Sequence, residues 1–123
     1  MTTPSPVQLN LTQRGQVTLD GSGNGAVQLG PDGPQEHWFP TLASVKVAQP
    51  VTNEAQCRIY AGPSVNDLYF VDGTLSGSTG DSTDRITGIE IARTQTPYIW
   101  AVWTGGDAGH VASLTVNGQK EIR

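Results

Sequence analysis

No stretch of this chain longer than 11 residues is free of both glycine and proline; the longest runs from Val51 to Ala61. A glycine in a helix interior costs about 1 kcal/mol relative to alanine and a proline about 3 kcal/mol. With 15 Gly and 8 Pro spread along 123 residues, no long helix can propagate. That excludes a helical bundle, a coiled coil and a membrane-spanning helix, which needs about 20 consecutive apolar residues. Short strands between turns are what remains, and the length suits one domain.

Between the breakers the apolar residues alternate, which is the signature of half-buried strands. Val7, Leu9 and Leu11 form the first set, followed by Val17 and Leu19. A glycine-rich joint, Asp20 to Gly25, separates these from Val27 and Leu29, and the arrangement reads as a β-hairpin. Gly30 to Pro34 is a turn cluster. Ala43, Val45 and Val47 mark another strand, Cys57 and Ile59 the next, and Leu68–Val71 a short apolar one. Ser64–Leu68 has room for one helical turn after Pro63, and Leu75–Asp84 reads as a polar loop. Ile89 and Ile91 alternate again, Tyr98–Trp103 is the most apolar stretch, and Ala112, Leu114 and Val116 close the domain. The expected architecture is all-β: a single antiparallel β-sandwich, jelly-roll-like, of about eight short strands with turn signals roughly every 8–12 residues. Its expected bounds are an extended arm over residues 1–8 and a sandwich over residues 9–123.

Tyr98–Trp103 carries a further expectation. One face of that strand presents Tyr98, Trp100 and Val102, the other Ile99, Ala101 and Trp103, and both sets are apolar. A second cover is therefore required, supplied either by a loop of the same chain or by another subunit. Trp100 and Trp103 differ by an odd number and so point to opposite faces, which prevents them from forming one sugar-stacking platform. Trp38, next to Phe39 and Pro40, is the other platform candidate, and its position suits a plug at the end of a sandwich.

The surface is built mainly of uncharged hydrogen-bonding groups. Thr, Gln, Ser and Asn together supply 36 residues, while only 15% of the chain is charged and the net charge is −4. The acidic balance excludes the basic patch that nucleic-acid binding requires, and it excludes a polybasic membrane anchor. A low-charge surface suits packing beside other protein copies. Cys57 is the sole cysteine, which excludes an internal disulfide and a multi-cysteine zinc site. No charged and apolar leader follows Met1, so folding in a reducing cytoplasm is expected. Asn10-Leu11-Thr12 is then a chance match to a glycosylation acceptor.

Catalytic patterns are weak. Gly21-x-Gly23-x-x-Ala26 matches a dinucleotide fingerprint only formally, since strand-like Val27-Gln28-Leu29 follows where that motif opens a helix. His37 and His110 stand in no metal-ligand spacing, and Cys57 lies on an alternating apolar face as a core thiol. Asp72, Asp81 and Asp84 flank the polar loop and are the candidates for a hard cation, although carboxylates there more often cap turns. No acid, base or nucleophile set stands out, and neither an enzyme nor a cofactor is expected.

Three segments form a recognisable combination. They are Val17–Gly25 with Val27-x-Leu29-Gly30-Pro31, then Phe70–Gly77, then Trp100–Asp107 with Leu114-Thr115-Val116. The combination resembles a group of small β-rich proteins encoded in the structural-gene regions of tailed phages and prophages of actinobacteria. The likeness covers most of the chain from Gln16 to Gly118 and consists of turn and strand motifs. It implies a virion component, assembled in the bacterial host cytoplasm, and transfers no functional residue. The expected role is a capsid decoration or cement protein on the virion surface, binding the major capsid protein or other virion subunits. A small homo-oligomer such as a trimer is expected, with no nucleic-acid or membrane partner. The arm residues Thr2, Thr3, Pro4, Ser5, Pro6 and Val7 are the expected partner-binding segment, because Pro4 and Pro6 stiffen it and lower the entropy lost on docking. The alternatives are a tail or head–tail joining protein, and a carbohydrate-binding module for host-surface glycan using Trp38 or the loop tips.

Overall fold

The computed structural model describes residues 7–48, 50–76 and 80–123. Eight strands follow in chain order: β1 (Val7–Thr18), β2 (Gly25–Leu29), β3 (Glu36–Val47), β4 (Ala55–Ala61), β5 (Phe70–Ser76), β6 (Asp81–Thr83), β7 (Ile99–Thr104) and β8 (Val111–Ile122). They form two four-stranded sheets, ordered β1-β8-β3-β6 and β2-β7-β4-β5. Every pairing is antiparallel. The outermost strands of the chain pair with each other, then the next pair inward, down to β4 with β5. The chain is thus one long antiparallel ribbon rolled upon itself, which is the jelly-roll form of the sandwich.

The core lies where the alternating residues of the two sheets meet. Ala112, Leu114 and Val116 of β8 and Val45 and Val47 of β3 face Cys57 and Ile59 of β4 and Ile99, Ala101 and Trp103 of β7, all buried. In β3 the inward set changes parity, from Trp38 and Pro40 to Ala43, Val45 and Val47. A register shift between Pro40 and Leu42 accounts for the change. A proline interior to a strand removes a ladder donor. Here it is tolerated because β6 pairs only with residues Ala43 to Val45, so β3 has no ladder partner on that side at Pro40.

Four local expectations change. The expected hairpin across Asp20–Gly25 does not form: β1 pairs with β8 and β2 with β7, so the glycine-rich joint carries the chain from one sheet to the other. Gly23 adopts φ +75°, and a Cβ there would lie 1.9 Å from the Gly106 carbonyl oxygen. Ile89 and Ile91 form no strand. Ile91 makes only an isolated bridge to Trp38, in a loop whose Ile86, Ile91 and Ala92 are buried. The polar segment expected as a loop contains β6 and the end of β5. The helical turn falls at Asp67–Tyr69, as a 3-10 turn capped by the Asn66 side chain, which accepts from Leu68 N–H at 3.0 Å.

The two sheets differ in length. β1, β3 and β8 each have 12 residues, against 5 for β2, 7 for β4 and 6 for β7. The longer sheet overhangs the shorter one at the end where Val7, Ile122 and Glu36 lie side by side. The loop around Ile91 covers Trp38 at that end, while Val7 and Leu9 stay 55% and 46% exposed.

Candidate functional site

Most chemically capable side chains are engaged in holding the fold. Cys57 is buried between the sheets, and burial pushes its thiol up to about 12. His37 Nδ1 lies 2.9 Å from Glu90 Oε1 at the overhanging end. Glu90 also meets Arg123 at 3.7 Å, and Glu36 meets Lys120 at 3.8 Å. The Trp38 indole N–H donates to Glu36 Oε1 at 2.6 Å. With its ring 2% exposed, Trp38 is an end plug and not a sugar platform, which corrects that use of it in a glycan-binding reading. Trp103 is fully buried and Trp100 points out, as their spacing required. The outward face of β7 is covered in part from within: Trp100 donates its indole N–H to the Gly62 carbonyl at 3.0 Å and packs edge-on against Tyr98.

Two of the three acidic candidates, Asp72 and Asp81, serve as caps. Asp81 accepts from the Thr74 hydroxyl and from Ser82 N–H, and these bonds hold its carboxyl below the ordinary range. Asp72 accepts from Gly73 N–H at 2.9 Å. Asp20 accepts from Ser22 and Asn24 N–H, which likewise lowers it, the Asn24 bond contributing most. Among the described residues no three His, Cys, Asp or Glu side chains are gathered in a way that could hold a metal ion. Asp72, Asp81 and Asp84 therefore do not converge as a cation cluster there.

Three surfaces remain for contact. The first is a groove of about 680 Å³ on the outer face of β4 and β5, lined by Gln56, Arg58, Asp67, Phe70 and Gly73 among others. Gly73 stands opposite Arg58 in the ladder and supplies no side chain, which opens the trough. The Arg58 guanidinium carbon lies 6.0 Å from the centre of the Phe70 ring, and Tyr60 meets the same ring edge-on. Phe70 is 48% exposed and Leu68, on the adjoining turn, 84%. A cation resting on an aromatic face beside bare apolar groups is suited to binding, not to proton transfer.

The second surface is the outer face of the longer sheet. Arg14, Ser44, Lys46, Ser82, Ser113 and Thr115 surround a shallow depression of about 530 Å³ there. The third surface is the open edge of β1, where Val7 stands. Of the expected partner-binding arm, Thr2, Thr3, Pro4, Ser5 and Pro6 lie outside the described residues. Val7 and Gln8 are the first residues of β1 and pair with Ile122 and Glu121. The groove and the open edge were not singled out from sequence. Phe70 read as part of a short apolar strand, and nothing local shows which strand ends a sheet.

No family model matches the chain, and no curated protein matches it. Among solved structures, a chain of turnip yellow mosaic virus superposes on it with a TM-score of 0.52. The match covers 99% of this chain and 84% of that one at 9% sequence identity. What the two share is the fold.

Proposed function

We propose that this chain is a non-enzymatic structural component of a virion, a capsid decoration or cement protein that binds the shell built by the major capsid protein. The observation that carries the reading is the rolled strand order β1-β8-β3-β6 over β2-β7-β4-β5, matched along nearly the whole chain by a chain from a virus. Jelly rolls serve capsids, lectins and cupins alike, so the fold alone does not choose among them. Three features favour the capsid. Asp72 and Asp81 are used as caps, the thiol is sealed in the core, and the aromatic best placed to stack on a sugar plugs the sandwich end. The polar, weakly charged sheet face and the exposed Leu68 and Phe70 are contact surfaces. Many weak copies on a symmetric shell attach strongly through effective concentration.

The sequence resemblance points to a tailed phage or prophage of actinobacteria as the source of that virion. The test is quantitative mass spectrometry and reconstruction of purified particles made by the phage or prophage that encodes the chain. Hundreds of copies on the outer shell support decoration. A small multiple of three or six, located at the neck or tail, moves the chain to the tail or head–tail reading. Absence from the particle together with binding to host cell-wall glycan overturns both.

A further inference from the structure

We infer that β1 is a self-recognition edge, through which two copies of this chain pair antiparallel and join their longer sheets into one continuous sheet. The inference concerns the isolated chain and does not depend on the virion role. The four sheet edges are finished differently. Natural sheets block their edges with short strands, bulges, prolines or inward charges. Three edges here follow that practice. β6 has 3 residues, β2 has 5 and runs into Gly30-Pro31, and β5 is distorted by a register irregularity at Ile59/Tyr60.

Within its own span the fourth edge has none of these devices, although Pro6 stands immediately before it as Gly30-Pro31 follow β2. β1 has 12 residues without a proline, and it pairs with β8 in unbroken register from Val7↔Ile122 to Thr18↔Val111. Its inward residues are Val7, Leu9, Leu11, Gln13, Gly15 and Val17, with no charge among them. Its other edge has no ladder partner among the described residues.

The ladder also shows which groups that edge offers. Leu19 N–H donates to the His110 carbonyl at 2.8 Å, and Ala48 N–H to the Val111 carbonyl at 2.8 Å. Alternation along antiparallel strands then turns the odd-numbered residues of β1 toward β8. The even-numbered ones, Gln8 to Thr18, present their N–H and C=O groups at the open edge. At about 3.4 Å per residue this is a row roughly 34 Å long.

A second copy is the occupant that fits. Arg14 is the only charged residue of β1. Paired residues must share a face, and the two registers that then overlap the strands most fully set Arg14 opposite Asn10 or Thr12 of the second copy. Like charges therefore do not meet. The same registers bring the exposed Leu9 beside Gly15 or Val17 of the second copy, and Val27 and Leu29 pack close to that Gly15 position. Two half-exposed apolar residues of the overhang, Val7 and Leu9, thereby gain cover. Such an interface is two-fold and closes as a dimer, in place of the trimer expected from sequence.

Sedimentation velocity on the full chain tests this, with concentration-dependent amide hydrogen exchange alongside. A dimer is expected, with the amides of Asn10, Thr12, Arg14 and Gln16 protected only at concentrations where it forms. Thr12→Pro removes a donor from the open edge while leaving the β8 ladder intact, and it should weaken dimerisation about 100-fold or more. Leu9→Lys, at a position already half-exposed, should do the same by placing an inward charge on the edge, and it serves should the proline variant not fold. A chain that stays monomeric at every concentration overturns the inference. So does a dimer that survives both folded variants, or even-numbered amides whose exchange ignores concentration.

Discussion

The Gly106 N–H donates to the Gly23 carbonyl at 3.0 Å, tying together two of the corners at which the chain crosses between sheets. One corner links β1 to β2 and the other β7 to β8, so the joined corners act as one bend in the rolled ribbon. The geometry leaves room for nothing larger than hydrogen on Gly23. Its φ is +75°, and a Cβ would meet the Gly106 oxygen, nitrogen and carbonyl carbon within 2.7 Å.

Gly23→Ala should therefore lower stability by about 2 kcal/mol or more, combining left-handed backbone strain with a backbone clash. Gly21→Ala, two residues earlier, has open space around its Cβ and should be close to neutral. Paired thermal melts check the contrast. Equal losses at both sites would show that the corner is not tied as described.

Trp38→Ala should cost about 3–5 kcal/mol, the usual range for emptying a buried aromatic site. The loss opens the end of the sandwich under Ile91 and leaves Glu36 without its indole donor. Trp38→Phe should cost clearly less. Urea titrations at constant m-value measure both, and a small effect of the alanine variant would mean that the Ile91 loop, not Trp38, closes that end.

Acid should weaken the fold through Asp107. This carboxylate accepts from Thr52 N–H at 2.7 Å, Asn53 N–H at 3.1 Å and the Asn53 side-chain amide at 3.0 Å. These bonds, the Thr52 one foremost, hold its pKa below the ordinary 3.8. A group depressed in the folded state contributes its full stability above the unfolded value and loses it as pH falls through the folded one. The wild-type midpoint should hold down to about that ordinary value and drop beneath it. Asp107→Asn should be less stable at neutral pH and show a shallower acid limb. Parallel acid limbs for the two proteins would remove Asp107 from the account.

Cys57 should resist thiol reagents in the native protein. Only the thiolate reacts, and a thiol pushed up to about 12 and enclosed between the sheets supplies almost none at neutral pH. Labelling should follow unfolding, rising to the rate of a free thiol in denaturant. Rapid native labelling would mean that β4 opens locally.

The inward residues of the long strands were legible from alternation alone. Ala43, Val45 and Val47, Cys57 and Ile59, and Ala112, Leu114 and Val116 all face the core, and the opposed directions of Trp100 and Trp103 followed from an odd spacing. Partner choice was not legible, because a glycine-rich joint serves a tight hairpin and a sheet-crossing corner equally well. Ile89 and Ile91 alternate like a strand, yet Ile91 lies in a loop that covers Trp38, and burial of loop residues leaves the same mark on the sequence. β6 escaped notice because Asp81, Ser82 and Thr83 offer one inward side chain, Thr83, and no apolar rhythm. The contact surfaces were the least legible part. Which strand ends a sheet, and whether Phe70 points in or out, depends on pairings between distant segments.

Thr12 and Asn117 share a hydrogen bond although 105 residues separate them along the chain. During synthesis, then, β1 leaves the ribosome long before the strand it belongs beside exists, and translation must run past Asn117 before the Thr12–Asn117 pair can form. Until that moment the edge of β1 that β8 will occupy stands as open as the one that has no ladder partner among the described residues of the finished fold.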